Sequence, residues 1–227
     1  MSLTANLLQG SPARPLITHY DDAAGTRVEL SVATMRNWAA KTANWLVEEL
    51  DVEPGTPVAV LLPAHWQTAA VLLGAWWAGA HVVSSPADAI AFVAPGGTAP
   101  GASVTAVASL DPMGRDLRGE NPADTLDYIG DARLFGDDYF ELSPVPGDTP
   151  CWHGSTVDEV LTSARSRAAD LGLSASSRVL STLDWPAGVA DGLLAVFAAG
   201  ASLVQVTNPD AEKVKKHKET ERATVVL

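Results

Sequence analysis

Basic residues are scarce in this sequence. Lysine and arginine together number 15 against 27 aspartates and glutamates, which gives a formal net charge of −12 at pH 7. A charge of this sign repels a phosphate backbone and an anionic lipid surface, so it argues against nucleic acid and membranes as partners. The hydrophobic fraction of 47% indicates a globular chain, and 227 residues are enough to bury a sizeable core.

Cysteine and long apolar runs are also lacking. Cys151 is the single cysteine, so there is no internal disulfide framework and a reducing cytoplasm is the expected compartment. The longest apolar run, Thr68 to Ala80, has 13 residues and is shorter than the ~20 that span a bilayer. The N-terminal segment has no basic start, and its apolar pair Leu7-Leu8 is followed by polar residues, glycine and proline, so we expect no secretory signal.

What the sequence does contain is a strand-helix-strand pattern. Val58 to Leu62 is an apolar run typical of a buried parallel strand. Trp66 to Ala78 is predicted as a helix that ends where Gly79 takes the left-handed conformation. Ala80 to Val83 then resumes as a strand.

This pattern recurs at a constant offset of 121 residues, which aligns Val58 with Val179 and Gly79 with Gly200. The second copy is predicted as a strand at Arg178 to Leu183, a helix at Gly188 to Ala199 and a strand at Ala201 to Val206. Solenoid periods are roughly 20 to 50 residues, so a repeat of this length predicts two related α/β halves instead.

The segments around the repeat complete the expected fold. Leu16 to Tyr20 and Arg27 to Leu30 flank a turn-forming loop and predict an N-terminal β-hairpin. Ser31 is placed to cap the helix that follows. The expected fold class is therefore α/β, with a largely parallel sheet flanked by helices.

Two further helices are predicted in the second half. Either Ser155 with Asp158 or Thr156 with Glu159 forms a capping box for the helix that precedes the second copy. The charged segment 210–222 is expected to be a helix with a solvated face. We predict one globular unit over residues 1–227, divided into a first half at 1–141, a linker rich in proline and glycine at 142–148 and a second half at 149–227.

The order of these segments, with PVAVLLPAHWQTAAVLLGAWWAGAHVV in the first copy and RVLSTLDWPAGVADGLLAVFAAGASLVQV in the second, resembles the N-terminal region of the adenylate-forming superfamily. That superfamily includes acyl-coenzyme A synthetases, luciferases and the adenylation domains of peptide synthetases. More narrowly, the chain resembles a short actinobacterial branch of about this length, for which the resemblance assigns no activity. It implies a fold like part of the N-terminal domain of acyl-CoA synthetases.

The chain departs from the superfamily at its phosphate-binding loop. In the family, a loop rich in Ser, Thr and Gly that ends in Pro-Lys-Gly wraps the nucleotide phosphates. Here the corresponding stretch is GDTPCWHGST, of which only Gly154, Ser155 and Thr156 resemble the loop, and no lysine lies between Arg133 and Arg165. Without that charge, the grip on ATP phosphates and Mg²⁺ is expected to be lost.

Other motifs of the family are altered or absent. The aromatic-His segment that borders the acyl pocket corresponds to Leu183-Asp184-Trp185-Pro186, which keeps an aromatic residue but has no histidine. The Tyr-Gly-x-Thr-Glu segment, the ribose-binding Asp and the C-terminal domain with its catalytic lysine would lie beyond Leu227. The resemblance therefore names Gly154, Ser155, Thr156, Asp184 and Trp185 as candidate nucleotide- or substrate-binding residues, with ATP, AMP or coenzyme A as candidate ligands.

We assign no catalytic residue and no metal ligand. Cys151 and His153 flank a predicted helix N-terminus, where the dipole favours a thiolate, but no third group orients them and no oxyanion site is evident. His65 and His81 have no second ligand at metal-binding spacing, so neither is expected to hold a metal.

These observations lead to one hypothesis and two alternatives. The chain is interpreted as a truncated, degenerate acyl-CoA synthetase-like protein that does not adenylate on its own and acts by binding or assembly. Alternatively, it is one component of a split acyl-adenylate-forming ligase of the AMP-forming acid-thiol type, completed by a partner ligase subunit. The third reading is a structural protein that forms a homodimer and binds no small ligand.

Overall fold

The computed structural model describes residues 2–141 and 144–227, which leaves Met1 and two residues of the predicted linker, Leu142 and Ser143, outside the described part. The described residues form two sheets, with helices packed between and around them. Within these ranges, no helix combines the length and the hydropathy needed to cross a bilayer.

The larger sheet has seven strands and is parallel except at one edge. Numbered in chain order, its strands lie side by side as β7 (Leu126–Asp127), β6 (Val104–Val107), β5 (Ile90–Val93), β3 (Pro57–Leu61), β4 (His81–Val83), β8 (Pro150–Trp152) and β9 (Ser155–Thr156). Only β8 and β9 pair in antiparallel fashion among these described strands.

The smaller sheet has five strands in the order β12 (Val225–Val226), β10 (Arg178–Ser181), β11 (Ser202–Thr207), β1 (Pro15–Asp21) and β2 (Thr26–Ser31). The predicted N-terminal hairpin is the antiparallel pair of β1 and β2. The other pairings, β1 with β11 and β10 with both β11 and β12, are parallel. The expected α/β class with largely parallel strands is thus confirmed and is divided between two sheets.

The helices are α1 (Leu3–Leu7), α2 (Val32–Glu48), α3 (Trp66–Trp77), α4 (Tyr128–Ala132), α5 (Val157–Asp170), α6 (Ala195–Ala198) and α7 (Ala211–Thr220). Ser31 caps α2 by accepting a hydrogen bond from the amide of Thr34 at 3.1 Å, as predicted. Of the two capping boxes considered for α5, the structure forms the one between Thr156 and Glu159.

Both copies of the repeated unit are confirmed. In the first copy β3, α3 and β4 follow one another and the two strands are direct parallel neighbours. In the second copy β10 and β11 pair in the same way. Gly79 and Gly200 end the two helices with φ of +81° and +68°, the left-handed conformation that glycine adopts without steric cost.

The two copies lie in different sheets, and each sheet takes strands from distant parts of the chain. The hairpin of β1 and β2 joins the smaller sheet through β11, with Ile17 opposite Leu203. The strands β8 and β9 join the larger sheet through β4, with Val82 opposite Trp152. Both proposed halves thus contribute strands to both sheets. The division into halves at 1–141 and 149–227 stays a prediction.

The centre of the molecule is α3, all twelve residues of which are buried. It contacts α2, α1, β3, β4 and β1, so both sheets pack against it. A helix that is hydrophobic on every side needs cover on every side. Gly74 makes the contact with α2 possible, because a Cβ at this position would lie 2.4 Å from Cβ of Thr42.

The second copy differs from the first at the start of its helix. The predicted helix at Gly188 to Ala199 is replaced by a π-helical segment at Ala190–Leu194 that leads into the short α6. Two glycines weaken the helical preference here. Gly192 also lets the segment approach β10 closely, since a Cβ there would lie 3.1 Å from Oγ of Ser181.

Most residues of the charged C-terminal helix α7 are exposed, although Val214 and His217 are half-buried, and the residue that follows the helix is buried. Glu221 is 8% exposed and accepts hydrogen bonds from the hydroxyl of Tyr20 at 2.6 Å, from Nε of Arg27 at 2.9 Å and from Arg178. Burial opposes ionisation of this carboxyl, but the three donors outweigh it and lower the pKa of Glu221 to about 2. A buried ionic network therefore fixes the end of α7 to the smaller sheet.

Replacing Glu221 with glutamine should reveal how much this network contributes to the free energy of unfolding. The substitution removes one of the two carboxylates that Arg27 and Arg178 share and leaves them Glu29, so we expect the free energy of unfolding to fall by about 2 kcal/mol. Urea denaturation at pH 7 measures it. Glu219, which is exposed on α7, provides the matched control, and Glu219→Gln should change stability by less than ~0.5 kcal/mol. Equal effects of the two substitutions would contradict the assignment.

Two buried histidines meet where β1 packs against the start of α3. The rings of His19 on β1 and His65 at the N-cap of α3 lie 4.4 Å apart. His65 Nδ1 accepts the amide proton of Gln67 at 3.1 Å. The hydroxyl of Thr207 donates to the carbonyl of Ala64 at 2.6 Å, so Nε2 of His19, at 2.8 Å from that hydroxyl, must donate to it. The accepting Nδ1 makes the His65 ring neutral in the folded protein, whereas a donating Nε2 fits either protonation state of His19.

Burial lowers the pKa of His19 to about 4, although Asp21 and the Ala64 carbonyl raise it. Burial, with repulsion from His19, lowers the pKa of His65 to about 2. The unfolded chain therefore binds more protons below pH 6.5, so the stability present above that pH is lost as the pH falls.

We expect the protein to lose about 2 kcal/mol of stability for each of these histidines between pH 7.5 and pH 5. In the variant His65→Asn, the asparagine can still cap α3 but does not titrate, so the loss over this range should shrink by about 2 kcal/mol. Urea denaturation at both pH values measures the difference. An unchanged pH dependence in the variant would show that His65 does not titrate as the structure implies.

Candidate functional site

A small apolar cavity lies between the two copies of the repeated unit, at the carboxyl ends of β3 and β4. Its volume is about 50 Å³, and its lining is almost entirely hydrophobic. The residues around it are Val60, Leu61, Leu62, Thr68, Leu72, Val82, Val83, Ser84, Trp152, His153, Trp185, Pro186 and Val189. In open α/β sheets, ligands bind outside the carboxyl ends of the strands, so this is the position expected of a binding site.

The cavity adjoins an open groove. Ser84, Trp152, His153, Trp185 and Pro186 line both, and the groove adds Asp184, Ala187 and Ala190. Two tryptophans therefore form the walls at the junction between cavity and groove. Trp185 is buried, whereas Asp184 is exposed at the rim, where its carboxylate accepts a hydrogen bond from the amide of Trp185 at 2.8 Å.

The five candidate site residues are brought to neighbouring positions but not to a single pocket. Asp184 and Trp185 line the groove. Ser155 lines a second groove between α5 and the π-helical segment, which shares Trp152 with the first. Gly154 lies in the turn between β8 and β9, and Thr156 is the N-cap of α5. Their assignment as ligand-binding residues stays a prediction.

Trp152 is presented by a hairpin that the sequence patterns did not predict. His153 and Gly154 form a two-residue turn between β8 and β9, and their φ angles are +48° and +89°. Positive φ at both central positions is the requirement of the tight hairpin turn that suits a twisted sheet. The sequence signal was the His-Gly pair between short strands, but a two-residue β9 is too short to give a periodic pattern.

This turn lies in the stretch for which the resemblance predicts a phosphate-binding loop, and its backbone donors are already used inside the protein. The amide of His153 donates to the carbonyl of Val82 at 2.9 Å, and that of Gly154 donates to Nε2 of His81 at 2.9 Å. The amide of Thr156 donates to the carboxylate of Glu159 at 2.8 Å. A phosphate needs several free amides that point at one place.

The next two amides are committed in the same way. Val157 donates to the carbonyl of Thr149 at 3.1 Å, and Asp158 donates to that of Gly147 at 3.0 Å. The first turn of α5 also carries the acidic residues Asp158 and Glu159. An anion placed here would meet negative charge and few unoccupied donors.

Positive charge is scarce around the cavity and both grooves. Among the described lining residues, Arg167 is the one arginine or lysine, and it forms a bidentate pair with Asp191, with Nε and Nη2 at 2.7 and 3.0 Å from the two carboxylate oxygens. Burial, with a smaller contribution from His81, lowers the pKa of His153, so this ring is mostly neutral at pH 7. The site is therefore neutral to acidic.

Cys151 is next to this site but does not face a substrate. It lies on β8 with 2% of its surface exposed, and its carbonyl accepts a hydrogen bond from the indole of Trp76 at 3.1 Å. Burial, with a smaller effect of Glu159, raises the pKa of the Cys151 thiol to about 12. The thiolate that a nucleophile requires is thus disfavoured. Within residues 2–141 and 144–227, no group of three or more His, Cys, Asp or Glu side chains is arranged to hold a metal.

The native thiol should accordingly be inert. At pH 8 we expect Cys151 to react with a chromogenic disulfide reagent at least about a hundredfold more slowly in the folded protein than in urea, because both access and thiolate formation are restricted. The unfolded protein serves as the control for intrinsic reactivity. Equal rates in the two states would mean that Cys151 is accessible in the native fold.

No family model matches the sequence. The chain is 46% identical, over 233 aligned positions, to a TIGR03089 family protein of Mycobacterium tuberculosis (strain ATCC 25618 / H37Rv), and the alignment covers 97% of this chain and 94% of that protein. At this identity and coverage, common family membership is shown.

Solved structures share the fold at much lower identity. An acyl-CoA synthetase of Brucella canis is 17% identical with a TM-score of 0.79, over 100% of this chain and 47% of that one. Acetoacetyl-CoA synthetase from Streptomyces lividans is 17% identical with a TM-score of 0.79, over 100% and 42%. The anthranilate CoA ligase AuaEII, solved in complex with anthranoyl-AMP, is 17% identical with a TM-score of 0.74, over 100% and 49%.

The chain thus spans about half the length of these solved proteins, and the likeness shows the fold alone. It is the fold of the N-terminal region of acyl-CoA synthetases, as the resemblance in the sequence implied. The chain belongs to the TIGR03089 family.

Proposed function

We propose that this protein is a non-adenylating member of the acyl-CoA synthetase fold, which binds a ligand through a small apolar group in the cavity between the two copies of the repeated unit. It keeps the scaffold and the position of a substrate pocket. It does not form an acyl-adenylate by itself. Its biological role is then one of binding, alone or within an assembly.

The observation that carries this proposal is the state of the turn at His153 and Gly154. Stabilising the triphosphate of ATP requires preorganised amide donors and positive charge. In this turn and the first turn of α5, the amides already donate to protein groups. The nearest cation, Arg167, is paired with Asp191.

The cavity supports the part of the proposal that concerns ligand binding. It is lined by side chains from β3, α3, β4, the β8–β9 hairpin and the segment before the π-helix, so it lies where several rigid elements meet. A pocket built on strands and helices holds its shape better than one built on loops. A charged group inside this apolar lining would lose its hydration without gaining a partner. A small apolar group is therefore the occupant with the lowest cost of leaving water.

The test is a comparison of ligands by thermal denaturation. We expect MgATP, AMP and coenzyme A at millimolar concentration to leave Tm unchanged within about 1 °C, because a ligand stabilises the native state only when it binds to it. The purified chain should also release no pyrophosphate from MgATP in the presence of a panel of carboxylic acids.

One result would overturn the proposal outright. It is release of pyrophosphate from MgATP that is abolished in the variants Ser155→Ala and Thr156→Ala, since that would place ATP chemistry at the start of α5. Ser163→Ala, about two helical turns further along the chain, is the matched control for a hydroxyl lost from the same groove. A rise in Tm with ATP that all three variants retain would indicate binding of ATP elsewhere, and it would also contradict the expected lack of response.

A further inference from the structure

The groove outside the cavity combines aromatic walls with a carboxylate, and this combination bears on the charge of the ligand. Trp152 and Trp185 line both the cavity and the groove, and Asp184 stands at the rim. Aromatic faces attract a cation through the ring quadrupole. A carboxylate on the same rim adds an attraction of the same sign.

The surroundings reinforce this preference. The cavity and the groove have no lysine or arginine among their described lining residues. His153 is mostly neutral, because burial lowers its pKa. Around the groove that Trp152 shares with α5, Arg167 is neutralised by Asp191 and Glu159 remains. The net charge of −12 for the chain also favours a cation over an anion at the rim.

The size of the cavity limits the apolar part of the ligand. A cavity of about 150 Å³ accommodates benzene, with six carbons, so the ~50 Å³ here has room for about two carbon atoms. The remainder of the ligand must lie in the groove, between the two tryptophans and beside Asp184. The geometry thus separates a short apolar end from a head group at the rim.

We propose that the ligand is a short alkylammonium ion, with its alkyl end in the cavity and its ammonium group at the rim among Trp152, Trp185 and Asp184. This assignment rests on the proposed binding role of the cavity and specifies its ligand class. Anionic heads such as carboxylates and phosphates are disfavoured by the same charges.

Three probes that share a propyl chain isolate the effect of the head group: n-propylammonium, butyramide and butyrate. Binding is followed by ¹H–¹⁵N NMR through the indole resonance of Trp185, which the variant Trp185→Phe identifies. Such small probes bind with dissociation constants of about a millimolar. Trp45, whose indole nitrogen is buried in the core without a hydrogen-bond partner among the described residues, serves as a resonance that should not move.

We expect n-propylammonium to shift the Trp185 resonance and to bind about tenfold more tightly than butyrate, with butyramide between them. Asp184→Asn should reduce the preference for the cation severalfold, whereas Asp88→Asn, at an exposed carboxylate that lines neither the cavity nor the groove, should not. The preference should also weaken at high salt.

A second pair of variants tests the cavity. Val83 lines it and is half-buried, so Val83→Phe should fill it and abolish the response to n-propylammonium. Val104, a half-buried strand valine of the same sheet away from the cavity, is the matched control, and Val104→Phe should preserve binding. Circular dichroism establishes that each variant is folded before binding is compared.

The outcomes separate this inference from the proposed function. Tighter binding of butyrate than of n-propylammonium overturns the inference but leaves a non-adenylating binding protein. Binding of n-propylammonium that Val83→Phe does not affect also overturns it, since the alkyl end would then lie elsewhere. Absence of any response to all three probes at 50-fold the expected dissociation constant, that is ~50 mM, overturns both.

Discussion

The structure depends on the burial of α3. Because each residue of this helix is withdrawn from solvent, one layer of cover is not enough: the larger sheet packs on one side, β1 of the smaller sheet reaches another, and α1 and α2 close the rest. The helix belongs to the first copy of the duplicated unit, and β1, which packs on it, pairs with β11 of the second copy. The cavity and its groove are the seam that remains between the copies at the carboxyl ends of their strands.

The duplication also shows where the chain has been modified. The two copies agree at their strands and at Gly79 and Gly200, where geometry is demanding. They differ just before and within the second helix, where Trp185 lines the cavity and the π-helical segment follows. Irregular helical turns of this kind are frequent at functional sites. The features that the two copies share therefore shape the strands and helix ends, whereas the features that differ lie beside the cavity between the copies.

Much of the fold could be predicted from the sequence because its signals are local. The apolar run at Val58, the C-cap glycines, the N-cap of Ser31 and the hairpin of β1 and β2 each rest on residues a few positions apart. The superfamily fold followed from their order. Of the two capping boxes that local sequence left open at α5, one was selected by the side chain of Glu159, which reaches back to Thr156.

The rest depends on contacts between distant residues, which periodicity does not encode. Nothing near Glu221 indicates that its carboxylate would meet Arg27 and Arg178, so the sequence predicted a solvated helix and missed the buried network at its end. The hairpin of β8 and β9 was missed because its strands are too short. Asp184 and Trp185 were named from a motif, but their neighbours Trp152 and Val83 come from other strands.

The pairing of β1 with β11 has a consequence for how the chain folds as it is synthesised. β1 leaves the ribosome early, yet its parallel neighbour lies some 186 residues further on, as the opposition of Ile17 and Leu203 shows. Until β11 emerges, β1 has no partner on the side away from β2, so both edges of the hairpin are unpaired. Loops of this length close slowly, and such edges are prone to pair with other chains. The smaller sheet therefore cannot be completed before β11 and β12 have been synthesised, and until then the free edge of β1 is open to pairing with other chains.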